Sequence, residues 1–184
     1  MSGLQAETGM VNGEVGVVEG YFAAGDSGGG QLYFDTTKPA SATVSAASIS
    51  GGVLTLTTSG NHGLSTGQCV TIAGVGGITG VNNLSWVITK VSNTQLSLDG
   101  WSGSGSYTSG GLVGDGGTAI PASDSSGHWR RLWSSVLDVA WFGAKQDGTT
   151  DDTLALLAAI TAIQLAGGVR SASAGPRASP FPRG

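Results

Sequence analysis

The sequence predicts a mainly β protein: a small antiparallel β-barrel or sandwich module inserted in a β-rich region, followed by one C-terminal helix. Three observations carry this expectation. Of 184 residues 33 are glycine and only 11 % are charged, against about 25 % in an average soluble domain, a balance that favours turns and strands over helices. Short apolar runs recur at intervals of roughly ten residues between Gly, Asn and Ser turns, the spacing of a small barrel or sandwich. One late stretch changes to helical spacing.

Taken in order, residues 1–15 are polar, contain glycine and show no sustained period, so a flexible arm is expected there. Residues 16–44 and 111–145 read as two halves of one β-rich region. In the first half, Glu19–Ala24 and Gln31–Thr36 read as paired strands, joined by GDSGGG (Gly25 to Gly30), whose glycines tolerate positive φ. Lys38 to Ala47 shifts to Pro, Ser, Ala and Thr, as in a linker or an edge strand. Residues 45–110 then form the inserted module, with strands around Leu54 and Leu56, Cys69 to Ile72, Leu84 to Ile88, and Leu96 and Leu98. Beyond the Gly/Ser-rich stretch Ser102 to Gly111, strands are expected at Ala119–Ile120, His128–Trp133 and Val136–Phe142. Residues 146–168 hold the helix. Asp151 and Asp152 suit its first turn, and Leu154, Leu157, Ile160 and Leu165 keep its period up to Gly167 and Gly168. With Leu156 and Ile163 included, apolar residues nearly encircle it, so something must cover it. Residues 169–184 carry three of the five prolines and no period, and disorder is expected.

Composition excludes several functions. A net charge of −4 and an apolar fraction of 39 % favour folding over disorder. The first 128 residues hold only Lys38 and Lys90 as Lys or Arg, so there is no electrostatic footprint for nucleic acid. Cys69 is the single cysteine, which precludes an internal disulfide and a thiolate metal cluster. The N-terminus lacks the basic and apolar segments of a signal peptide, and no apolar run approaches the roughly 18 residues of a membrane span.

The short motifs have plain explanations. GDSGGG matches the string around a serine-protease nucleophile, but a triad of that family places its His and Asp before the serine, and no histidine precedes Ser27. His62 and His128 lack a second ligand at metal-binding spacing. Asp147, Asp151 and Asp152 lack the alternating oxygens and late Glu of a calcium loop, which leaves helix capping. Trp86, Trp101, Trp129, Trp133 and Trp141 could stack on sugar rings, but burial accounts for them equally well. No catalytic, cofactor-binding or metal-ligating residue is assigned, and no cofactor is expected.

Four segments in order, GYFAAGDSGGGQLYFD (20–35), GDGGTAI (114–120), GHWRRL (127–132) and VAWFGAKQDGTTDDT (139–153), resemble the N-terminal virion-attachment region of bacteriophage tailspikes with a pectate-lyase-like right-handed β-helix. HGLSTGQCVTIAGVGG, WVITKV and TQLSLDG, within residues 45–110, resemble a small β-barrel module of phage tail proteins. The resemblance implies a structural protein of the phage tail, made without a signal peptide in the host cytoplasm. It would dock on other tail or baseplate proteins as a homotrimer, with the 146–168 helix capping a β-helix. After Gly168 the chain departs from that family, so a form truncated before the catalytic β-helix is expected. The alternatives are a polysaccharide depolymerase, or a carbohydrate-binding module that recognises a host surface polysaccharide.

Overall fold

The computed structural model describes residues 2–37, 43–134 and 136–166. Their elements run α1 (Ser2–Ala6), β1 (Val15–Val18), β2 (Gly30–Asp35), β3 (Val44–Ser50), β4 (Val53–Thr58), β5 (Cys69–Ala73), β6 (Leu84–Lys90), β7 (Gln95–Leu98), β8 (Leu112–Gly114), β9 (Ala119–Pro121), β10 (His128–Arg131), a 3₁₀ turn (Val139–Phe142) and α2 (Thr153–Leu165). The protein is mainly β, with two antiparallel sheets and one C-terminal helix, as the sequence predicts.

Six strands in the order β3-β4-β7-β6-β5-β8 make the larger sheet, and a bridge between Thr43 and Leu112 joins its two edges into a barrel. Alternation along the strands decides what points inward: Leu54 and Leu56 on β4, Val70 and Ile72 on β5, Ile88 on β6, and Leu96 and Leu98 on β7 form one core with Val44 and Val113. The β3–β4 hairpin turns on Gly51 and Gly52, both with positive φ (58° and 79°), the two-residue geometry that suits the twist of a hairpin. Trp101 caps the core and donates its indole N–H to Thr79 O at 3.1 Å. The Gly/Ser-rich stretch 102–111 runs beside residues 76–79, bonded through Thr79 N to Ser104 O and Ser106 N to Gly77 O.

The smaller sheet, β1-β2-β10-β9, buries Leu32, Phe34, Ile120, Ala122 and Trp129. Phe34 and Trp129 are register partners and meet edge to face, ring centres 5.2 Å apart. A third core lies where the barrel meets α2 and the 3₁₀ turn, and contains Cys69, Phe142, Ala144, Ala155, Ala158, Ala159 and Ala162. This explains β5, in which all five residues are buried. Val70 and Ile72 fill the barrel, while Cys69 belongs to the core under the helix. A strand covered on both faces needs apolar or small residues on both.

Several local expectations change. Glu19–Ala24 is a loop rather than a strand, because the Asp26 carboxylate accepts the backbone N–H groups of Tyr21, Phe22, Ala23 and Gly28 and folds the segment around itself. The strand beside β2 is β1 instead. Residues 2–6 form a single helical turn within the expected flexible arm, and Gln5 is buried. The expected strand Val136–Phe142 ends as a 3₁₀ turn, started by Asp138, which accepts the Ala140 N–H, and stopped by Gly143 at φ 92°. β8 pairs with β5 and Val44 lies in the barrel core, so residues just outside 45–110 complete that sheet. Residues 38–42 of the expected linker and the expected disordered tail 169–184 lie outside the described residues.

The helix runs where its period predicts but faces the other way. Ala155, Ala158, Ala159 and Ala162, at i, i+3, i+4 and i+7, are its buried stripe, while Leu154, Leu156, Ile160 and Leu165 are 42–52 % exposed. Small side chains let the helix axis sit close to β5, and the large ones have no room there. Its start also differs. Asp152 holds the N-cap position without a side-chain capping bond; its carboxylate accepts the N–H groups of Lys145 and Gln146 and ties the preceding loop. Asp151 accepts the Thr153 N–H.

Candidate functional site: a cavity and an arginine clasp at the junction

A cavity of about 390 Å³ opens where the two sheets meet the C-terminal half of α2. Its walls include Tyr33, His62, Asp115, His128, Arg130, Arg131 and Thr161. The volume falls within the range of small-molecule pockets. What the cavity can do depends on whether its polar groups are free to act.

Most of them are held by backbone partners. The His62 ring accepts the Leu64 N–H at Nδ1 (3.1 Å) and meets Ser92 O through Nε2 (2.9 Å). A nitrogen that accepts carries no proton, so His62 is the neutral tautomer with its proton on Nε2, donated to Ser92 O. His128, 1 % exposed, directs Nε2 at Val113 O. Asp115 Oδ1 accepts the N–H groups of Gly117, Thr118 and Ala119, while Oδ2 accepts the Thr118 hydroxyl. Arg130 pairs with Asp35 at 2.7 Å. Thr161 donates its hydroxyl to Leu157 O and accepts the buried Cys69 N–H at 3.0 Å, which fixes α2 to β5.

Arg131 is the hub. It is 4 % exposed and donates from Nε to Gly117 O (3.0 Å), from one terminal nitrogen to Gly29 O (2.6 Å) and from the other to Gly28 O (3.2 Å). Its guanidinium also lies 4.8 Å from the centre of the Trp141 ring. Burial pulls its pKa below the usual guanidinium range, against the opposing fields of Asp115 and Asp138. One planar fork thereby ties three remote segments, the 25–30 loop, the 114–118 loop and the 3₁₀ turn, which a flexible ammonium could not do. The glycines around it are required by space: a Cβ on Gly117 would lie 2.4 Å from the Phe142 ring, and one on Gly28 would lie 2.8 Å from Ala140 O.

Ser27 is exposed in its loop at φ 65° and does not line the cavity with either histidine. Asp147 accepts the N–H and hydroxyl groups of Thr149 and Thr150, and with Asp151 and Asp152 each serving its own backbone partners, the three do not converge. Among the described residues no group of three His, Cys, Asp or Glu side chains could hold a metal ion. Cys69 is fully buried, and burial pushes its thiol up to about 11, so almost no thiolate exists at neutral pH. Trp86 and Trp101 give their indole N–H groups to Val81 O and Thr79 O, and Trp129 lies in the smaller core. Trp133 and Trp141 meet edge to face near Arg131. Arg131, Asp115 and Thr161 were not singled out from sequence. The available signal was the recurrence of Gly-Asp-rich loops before an Arg-Arg strand, but the contacts of Arg131 with the 25–30 loop span over a hundred residues.

Among the described residues no helix is long and apolar enough to cross a membrane. Residues 49–115, which contain most of the barrel, match the family model of the ubiquitin-activating enzyme E1 FCCH domain. A search of curated proteins finds no match to the chain. The family match corrects the resemblance drawn from sequence, since the segment read as a phage tail module is similar instead to a domain of ubiquitin-activating enzymes. The tailspike function, with its depolymerase and glycan-binding alternatives, and the placement in a phage virion are set aside with it.

Proposed function

We propose that the chain is a non-catalytic protein-docking module, in which the 43–114 barrel presents a rigid surface to a protein partner and the Arg131 clasp fixes the smaller sheet and α2 against it. The observation that carries this reading is the family match over residues 49–115, which falls on a closed, nearly charge-free barrel whose one cysteine is buried. Between residues 43 and 114 the charged side chains are Lys90 and Asp99 alone. Such a surface recognises by shape and neutral hydrogen bonds rather than by electrostatic steering, which favours a protein partner over nucleic acid. The chemistry of the junction supports the non-catalytic part, because its imidazoles, carboxylate and thiol are each held by backbone partners or by burial and leave no acid–base or nucleophile pair.

The family matched over residues 49–115 makes ubiquitin the first protein to titrate. Isotope-labelled chain titrated with ubiquitin is expected to shift amides of the barrel and not those of β1, β2 and β10. Intact-mass spectrometry after incubation with ubiquitin and ATP is expected to show no adduct on Cys69. A covalent adduct would overturn the non-catalytic reading, and shifts confined to the smaller sheet would overturn the barrel as the docking surface.

A further inference from the structure

The two edges of the smaller sheet differ. β9 ends at Pro121, which has no N–H to offer, and lies so close to β8 that a Cβ on Gly114 would meet Ala119 O at 2.2 Å. β1 carries none of the usual protection against strand addition: Val15–Val18 has no proline and no charged residue, and Val15 and Val17 are 61 % and 70 % exposed. We propose that this edge takes up an extended segment of a partner protein as a further strand, in which two apolar residues spaced by one are flanked by Lys or Arg. The edge lies outside the barrel, so the proposal stands or falls apart from the docking role given to the barrel.

Which backbone groups are available follows from the ladder. Phe34 donates its N–H to Glu14 O at 2.7 Å, and in an antiparallel ladder bonded pairs recur at every second residue. Gly16 with Leu32 and Val18 with Gly30 are therefore bonded, while Val15 opposite Tyr33 and Val17 opposite Gln31 are not. Gln31 turns its carbonyl to β10 instead, where it accepts the Leu132 N–H at 2.9 Å. The N–H and C=O groups of Val15 and Val17 thus point away from β2, and among the described residues nothing bonds them. This edge has fixed ends. Gly13 and Glu14 both face Phe34, a bulge with Gly13 at φ 85°, and beyond Val18 the chain turns into the loop gathered by Asp26. An antiparallel strand laid between these ends makes two bonded pairs, with Val15 and with Val17, and its side chains at those positions share a face with the valines. Apolar side chains there take the valines out of water.

Charge selects the occupant. Residues 2–37 hold Glu7, Glu14, Glu19, Asp26 and Asp35 and no Lys or Arg, and Glu14 and Glu19 flank β1 directly. Arg130, two strands in, is already paired with Asp35 at 2.7 Å. A second copy is disfavoured, because antiparallel copies centred on Gly16 set Glu14 of one beside Glu19 of the other at both ends. A segment with Lys or Arg on either side of its apolar pair turns that repulsion into attraction.

The probe is acetyl-Lys-Val-Thr-Val-Lys-amide, titrated to about 2 mM into the isotope-labelled full chain at low salt. The largest shifts should fall on the amides of Val15 and Val17. The same peptide N-methylated at both valines cannot donate to the Val15 and Val17 carbonyls and should bind at least about tenfold more weakly; a peptide with Glu in place of both Lys should lose about as much. Val17→Pro removes one outward donor and no bond to β2, so the β2 amides should keep their protection while the affinity falls about tenfold. If that variant loses β2 protection, the methylated peptide decides. No shift at Val15 and Val17, equal binding of the methylated or Glu-flanked peptide, or shifts confined to the barrel would each overturn the proposal. So would concentration-dependent broadening of Val15 and Val17 without peptide, abolished by Val17→Pro, which would make a second copy the occupant.

Discussion

The barrel and the junction beside it are held by different physics. In the barrel, side chains alternate along each strand, the inward set is Leu, Ile and Val, and the wall carries almost no charge. Its stability comes from apolar area removed from water and from the hydrogen-bond ladders between its strands. At the junction, loops rich in glycine are gathered by carboxylates and one guanidinium: Asp26 and Asp115 each collect several N–H groups, and Arg131 collects three carbonyls. Many small neighbours can share the loss of one apolar contact. A hub cannot share the loss of its centre.

The largest effect should therefore come from Arg131→Ala. It leaves the carbonyls of Gly28, Gly29 and Gly117 without their donor and opens a void beside Trp141. Removal of a buried, fully bonded ion costs about 3–5 kcal/mol, read as a fall in the urea midpoint. Arg131→Lys keeps the charge but not the fork, and should recover only part of the loss. Hydrogen exchange sharpens the contrast between regions: amides of β2, β9 and β10 should lose protection while Leu56, Ile72 and Ile88 keep theirs. Ile88→Ala, a cavity in the barrel core costing about 2–5 kcal/mol, should do the reverse. Equal loss of protection in both regions after either substitution would show that barrel and junction unfold as one unit.

The same contrast explains what was legible in the sequence. The barrel strands could be read because alternation is local: Leu54/Leu56, Val70/Ile72 and Leu96/Leu98 each declare a face within three residues. The helix was legible from its period, but not its orientation. Leucines and alanines both count as apolar, and only the closeness of β5 decides that alanines go inward. Glu19–Ala24 misled for a related reason. Its Tyr and Phe resemble a strand, while the outcome was set by Asp26 four residues after Phe22. The clasp was hidden altogether, since a pattern confined to a short window cannot show that Arg131 will meet Gly28.

A smaller effect should appear at the seam between the two regions. Thr161 accepts the Cys69 N–H from within α2, so Thr161→Val keeps the shape and removes the acceptor. The Cys69 N–H is then left buried without its partner, which costs about 1–3 kcal/mol. Thermal unfolding should show the loss, and Thr161→Ser, which restores the oxygen, should recover most of it. If Val is tolerated and Ser is not, packing of the methyl group rather than the hydrogen bond holds the helix to β5.

The mildest predicted change is with pH, and it separates the junction loops from the barrel without any substitution. Backbone N–H groups from Ala23, Phe22 and Tyr21 hold the Asp26 carboxyl well below the usual carboxylate range, and those of Thr150 and Thr149 do the same for Asp147. A carboxyl whose pKa is lower folded than unfolded binds its proton more readily in the unfolded chain. Its contribution is therefore complete above about pH 4, the unfolded value, and is lost as pH falls through the lower folded value. Both groups lie in surface loops, Asp147 exposed and Asp26 half-buried, so the effect is local. Amides of Tyr21, Phe22 and Ala23 should shift and exchange faster as pH is lowered from 5 toward 2, while amides of β4 and β7, which neither aspartate touches, stay unchanged. Asp26→Asn should bring the first loop to its acid-like state already at neutral pH, because an amide retains one acceptor oxygen where the carboxylate used two. If the barrel amides titrate together with the loop, the two regions are coupled through more than the clasp, and the contrast between them fails where it is easiest to measure.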